Sequence, residues 1–127
     1  MLKRFTLAVL FCLAAAAASA ETRDGLMKAL EMWAPIDARV AGERAEIVLP
    51  QNRVTDRMYI SVITAGVCMG QITRPDVLDG VAEIAVLNKH ARQGYVLEGG
   101  KDLCKRLNGA PIGKSKDLMV LGSTHLH

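Results

Sequence analysis

Two cysteines, Cys68 and Cys104, bracket the stretch VAEIAVLNKHARQGYVLE from Val81 to Glu98. Its two apolar runs, Val81 to Leu87 and Gly94 to Glu98, flank a polar connection ending in glycine, the pattern of a β-hairpin with a loop longer than two residues. A bridge between the cysteines closes a loop of 36 residues around that hairpin. On the chain-entropy account such a loop contributes roughly 3 to 4 kcal/mol, a large share of the about 5 to 15 kcal/mol that holds a small domain together. Any fold for this chain has to bring residue 68 against residue 104 with a two-stranded element between them.

Pairing requires an oxidising compartment, and the first twenty residues, MLKRFTLAVLFCLAAAAASA, supply one. Lys3 and Arg4 form a basic start, Phe5 to Ala18 an apolar run, and Ala18-Ser19-Ala20 a small-x-small site before Glu21, so residues 1–20 read as a cleaved signal peptide. The run is shorter than the roughly 20 apolar residues of a membrane span, so no stable membrane anchor is expected after cleavage. Cys12 follows bulky Phe11, where a lipoprotein signal needs a small residue, and is expected to leave with the leader. The mature chain is expected in the periplasm or secreted, with Cys68 and Cys104 paired.

Cleavage leaves residues 21–127, enough for one domain. Lys3 and Arg4 go with the leader, so 16 basic residues become 14 against 13 acidic, and the net charge falls from +3 to +1. A near-neutral domain offers no electrostatic case for nucleic acid or anionic lipid as partner.

Along the chain, Asp24 to Trp33 reads as an amphipathic helix with Asp24 as N-cap, Leu26, Leu30 and Trp33 on one face, and Pro35 beyond its end. Ala45, Ile47 and Leu49 alternate in a first strand from about Glu43 to Leu49, with Glu46 on a wet face. Val54 to Met69 is rich in β-branched residues, but its length and the recurrence of Val54, Met58, Val62, Ala65 and Cys68 or Met69 favour a buried helix. Thr55 is its cap, and Cys68 falls in its last turn. Thr73 to Gly80 reads as a turn into a short helical piece, and Lys101 to Leu107 as a further helix carrying Cys104 beside Leu103 and Leu107. Residues 109–127 form an extension in which Leu118 to Leu121 suggests a short edge strand. The class expected is α+β: a single small domain with a sheet centred on an antiparallel hairpin, packed by about three helices and closed by one disulfide.

Catalytic patterns are weak throughout. No C-x-x-C is present for dithiol exchange, and Cys68 or Cys104 would act as nucleophile only if free beside His90. His125-x-His127 alone is a poor metal chelator, and Gly99-Gly100-Lys101 lacks the other residues of a phosphate loop. Glu83 and Glu98 could meet across the hairpin as an acid–base pair for a cell-wall sugar, which keeps a hydrolase as an alternative. No cofactor, metal or catalytic residue is assigned. The expected activity is contact without catalysis, as an accessory subunit, inhibitor or adaptor for a periplasmic or cell-envelope protein. Lys89, His90 and Arg92 at the hairpin tip, with Tyr95 beside them, are the candidate contact residues. A homodimer joined through the hairpin or the last strand is the structural alternative.

Overall fold

The computed structural model describes residues 20–127. The leader reading of residues 1–20 and the reading of Cys12 therefore lie, apart from Ala20, outside the described residues. Helix α1 covers residues 20–29 and runs into a 3-10 turn, Glu31–Trp33. It is already helical at residue 20, so Asp24 is an interior position pairing with Arg23 at 3.6 Å and not the cap. Leu26 and Leu30 are fully buried as the spacing requires, and Trp33 is half-buried against them.

Strands β1, Asp37–Ala41, and β2, Arg44–Val48, form a tight hairpin whose connection places Gly42 at φ +61°. Glycine adopts that value without a Cβ penalty. Strand β2 is the expected first strand, and its partner β1 is an addition. A long helix follows, α2, in three continuous segments: α-helical Asp56–Ser61, π-helical Val62–Val67 and α-helical Cys68–Thr73. The Thr55 hydroxyl accepts from the Met58 amide at 3.2 Å and caps it, as the sequence suggests. The helix extends beyond Met69, so Cys68 starts its third segment and does not sit in its last turn. Its buried side is Tyr59, Val62, Ile63, Gly66, Val67 and Gly70, whereas Ala65 and Met69 of the expected stripe are exposed. The cause is close packing by α1. A Cβ at Gly66 would collide with Leu30, and one at Gly70 would lie 2.6 Å from the Ala29 side chain.

After α2, residues 75–80 form turns and not the expected helical piece. Strands β3, Glu83–Leu87, and β4, Gly94–Glu98, are the expected hairpin. Helix α3 is Lys101–Gly109. Helix α4, Lys114–Gly122, replaces the edge strand expected at Leu118 to Leu121. Of its residues only Val120 is fully buried, with Met119 half-buried against the core, while Leu118 and Leu121 face solvent, so the apolar run reflects a helix anchored at two adjacent positions. The edge strand comes just after, as β5, Thr124–Leu126.

The five strands form one mixed sheet in the order β1-β2-β3-β4-β5. Strands β2 and β3 run parallel and all other neighbours antiparallel. The parallel step requires a crossover, which α2 provides. One face carries Ala38, Ala45, Ile47, Ile84, Val86 and Leu97 in a single cluster with Leu26, Leu30, Val62, Ile63, Val67, Leu103, Leu107 and Val120 from the four helices among the described residues. Cys68 and Cys104 are fully buried in it and bonded to each other with Cα atoms 4.8 Å apart, joining α2 to α3. The domain is α+β, small and single, with one disulfide.

Candidate functional site

The register puts alternate residues on the face that the helices leave free. Arg44, Glu83 and Glu98 lie in one row across β2, β3 and β4. Glu46, Ala85, Val96 and His125 lie in the next, and Val48 and Leu87 in the third. Neither side of the hairpin is open. Ala85, Leu87 and Val96 have no solvent exposure and form a second apolar cluster with Ala91 of the β3–β4 loop.

Polar groups share the face with that cluster. Arg44 is the hub, with Nε 3.3 Å from Glu46, Nη1 3.5 Å from Glu83 and Nη2 2.9 Å from Nδ1 of His127. Glu83 and Glu98 are directly opposite in register, as the hairpin reading requires. Each faces its own nitrogen partner: Glu83 meets the Arg44 guanidinium, and Glu98 meets His125 Nδ1 at 3.1 Å. Beside them runs a shallow, open groove lined by Ala41, Glu43, Arg44, Ala82, Glu83 and Glu98. The two histidines point to different partners, and among the described residues no group of three or more His, Cys, Asp or Glu is arranged to hold a metal.

The β3–β4 loop, residues 88–93, is held from within and from outside. Asn88 is buried; its Oδ1 accepts from the Arg92 and Gln93 amides at 2.9 and 3.1 Å, and its Nδ2 donates to the Asn52 carbonyl at 2.9 Å. The Gln93 side chain brackets Val54, accepting from its amide at 2.7 Å and donating to its carbonyl at 2.8 Å. The Lys89 amide donates to the Gln51 carbonyl at 3.0 Å, and Ala91 takes a left-handed φ of 55°. Lys89, His90 and Arg92 stand exposed on this frame.

Tyr95 is not with them. It lies on the helix-covered face, half-buried, its ring 4.9 Å from that of Tyr59 and near parallel to it. Tyr59 in turn donates to the Thr124 hydroxyl at 2.6 Å, whose own hydrogen goes to the Val120 carbonyl. Burial pushes the Tyr59 phenol up to about 12, against a smaller downward pull from Thr124. Lys101 is raised above its ordinary range by its hydrogen bond to the Asp79 carboxylate at 2.8 Å.

Asn88, Gln93 and Arg44 are residues that sequence reasoning overlooked, and His127 entered it only as a poor metal ligand beside His125. Arg44 alternates with Ala45 in the expected first strand and so falls on the wet side with Glu46, a signal that strand parity alone supplies. Nothing comparable links Arg44 to His127, 83 positions away.

No protein-family model matches the sequence, and no curated protein and no solved structure matches it either. Among the described residues no helix is long and apolar enough to cross a membrane.

Proposed function

We propose that this is an exported, non-enzymatic contact protein that captures an acidic surface of a periplasmic or cell-envelope protein with Lys89, His90 and Arg92. The observation that carries the reading is the frame beneath those residues. Asn88 and Gln93 fix the loop at both ends with side-chain bonds to backbone, so three cationic or potentially cationic groups are presented on a backbone that needs no further ordering on binding. Export is supported by the leader-like N-terminal sequence and by the buried Cys68–Cys104 bond, which an oxidising compartment sustains. Against a hydrolase stands the separate pairing of Glu83 with Arg44 and of Glu98 with His125, which leaves neither carboxyl as the other's sole neighbour.

The test is capture from periplasmic extract by the mature protein, with the bound protein identified by mass. Replacing Lys89 and Arg92 together by Ser should lower recovery of that protein at least tenfold, and raised salt should do the same to the unaltered protein. Equal recovery by both proteins removes the loop from the reading.

A further inference from the structure

The imidazole of His127 sits between two groups with opposite requirements. Arg44 Nη2 lies 2.9 Å from Nδ1, and a guanidinium nitrogen only donates, so Nδ1 must be the bare, accepting nitrogen. The carbonyl oxygen of Ala91 lies 3.2 Å from Nε2 and only accepts, so Nε2 must carry the hydrogen. One species satisfies both contacts: the neutral ring protonated at Nε2. The residue is also held from its backbone, its amide donating to the Gly94 carbonyl at 3.2 Å.

We propose that His127 is a pH-released latch that ties the contact loop, through Ala91, to Arg44 on the charged face of the sheet. It deepens the contact reading by assigning a regulation to the same loop, and rests on that reading for its biological consequence only. Ala91 is the loop's left-handed residue and has a Cβ, so its backbone conformation is one the surroundings must hold in place. The His127 contact falls on the carbonyl of that same residue.

When a proton adds to Nδ1, the acceptor that faced Arg44 becomes a donor beside a fixed cation, and the contact becomes repulsive. Other charges share this face. Strand β2 contributes Arg44 and Glu46, β3 contributes Glu83, β4 contributes Glu98, and β5 contributes His125. The loop adds Lys89, His90 and Arg92, and β1 adds Asp37 and Arg39 at the outer edge. The carboxylates of Glu46, Glu83 and Glu98 attract a charged His127 ring, but none of them restores an acceptor to Nδ1. Glu46 and Glu83 sit on the Arg44 guanidinium itself, so they moderate the repulsion without giving Arg44 back the ring acceptor it has lost. His125 contacts Glu98 on β4 and not the loop, so the latch consists of His127, Arg44 and Ala91 alone. The latch is closed in neutral to alkaline solution and open in acid.

The test uses the full chain with His90→Gln, so that the loop's own imidazole is silent. Ring nitrogen and Ala91 and Arg92 amide resonances are followed from about pH 8 to about pH 5, the span over which an imidazole changes charge. At the upper limit the His127 ring should give the Nε2–H pattern, and both amides should move with the His127 midpoint on acidification. Adding His127→Gln supplies a neutral Oε1 acceptor for Arg44 and an amide donor for Ala91, so the same two resonances should then stay fixed. An Nδ1–H ring at the upper limit overturns the proposal, as does an equal drift of the Ala91 and Arg92 amides in the His127→Gln protein. Neither readout involves a partner, so a failed latch is distinguishable from a failed capture assay.

Discussion

Val86 and Val96 occupy neighbouring strands of one sheet and neither is exposed, yet they are buried by different means. Val86 belongs to the face packed by helices, within the cluster that holds the disulfide. Val96 belongs to the opposite face, in a cluster of three buried residues and Ala91, and shares that side with Arg44, Glu46, Glu83 and His125. The helix side is close-packed hydrocarbon tied covalently, and the other is a thin apolar patch among charges and a loop. Zero exposure on both sides conceals a difference in how much each contributes and how readily each yields.

The largest effect should come from the covalent tie of the helix side. Replacing Cys68 and Cys104 together by Ala should lower stability by roughly 3 to 4 kcal/mol, read from urea unfolding of residues 21–127. A loss under about 1 kcal/mol would show that noncovalent packing of α2 on α3 suffices. Next in size is a matched pair of truncations. Val86→Ala should cost roughly 2 to 3 kcal/mol, since helices on that side cannot collapse into the space left, whereas Val96→Ala should cost about 1 kcal/mol because flexible polar side chains and water can fill the gap. Equal costs would erase the distinction between the faces.

A further effect is confined to alkaline pH. The buried Tyr59 phenol keeps its proton to about pH 12 in the folded chain, while an unfolded tyrosine ionises near about 10. Its contribution is therefore complete below about pH 10 and falls as pH rises toward 12, by roughly 1.4 kcal/mol per pH unit. Tyr59→Phe should flatten that limb and cost about 1 kcal/mol at neutral pH for the lost bond to Thr124. Parallel stability curves for the two proteins between pH 10 and 12 would contradict this account of the helix side.

The helix side was largely legible in the sequence. A cysteine pair around an apolar hairpin constrains topology strongly, and the α2 segment betrayed itself by length and by its Thr55 cap despite β-branched content. The misreadings share a cause. Leu118 to Leu121 is a run of four apolar residues with no period, and a run that short does not separate strand from helix; in three dimensions Val120 is buried and Met119 packs half-buried beside it. Strand β1 was missed because Asp37 and Arg39 fall on its outer face and leave only Ala38 and Val40 to alternate. The expected stripe holds at Val54, Val62 and Cys68 and fails at Ala65 and Met69, because α1 packs against Gly66 and Gly70, residues that hydrophobic periodicity passes over. The charged face was the least legible. Its parity could be read from the strands, but the meeting of Arg44 and His127 depends on the whole sheet being assembled between them.

Segment Val62–Val67 of α2 is wound more widely than its flanks, with the Cys68 amide donating to Ile63 five positions back. Such a turn accommodates one residue beyond the ordinary helical count. Excising a single residue there lets the segment relax to ordinary winding while Tyr59 and Cys68 keep their angular relation. The same excision at Ile60 or Ser61, in the ordinarily wound stretch after Tyr59, swings one of them by about 100° relative to the other. Tolerance to a change of chain length therefore resides in the middle of a buried helix, where alignments of distant variants would be expected to gap.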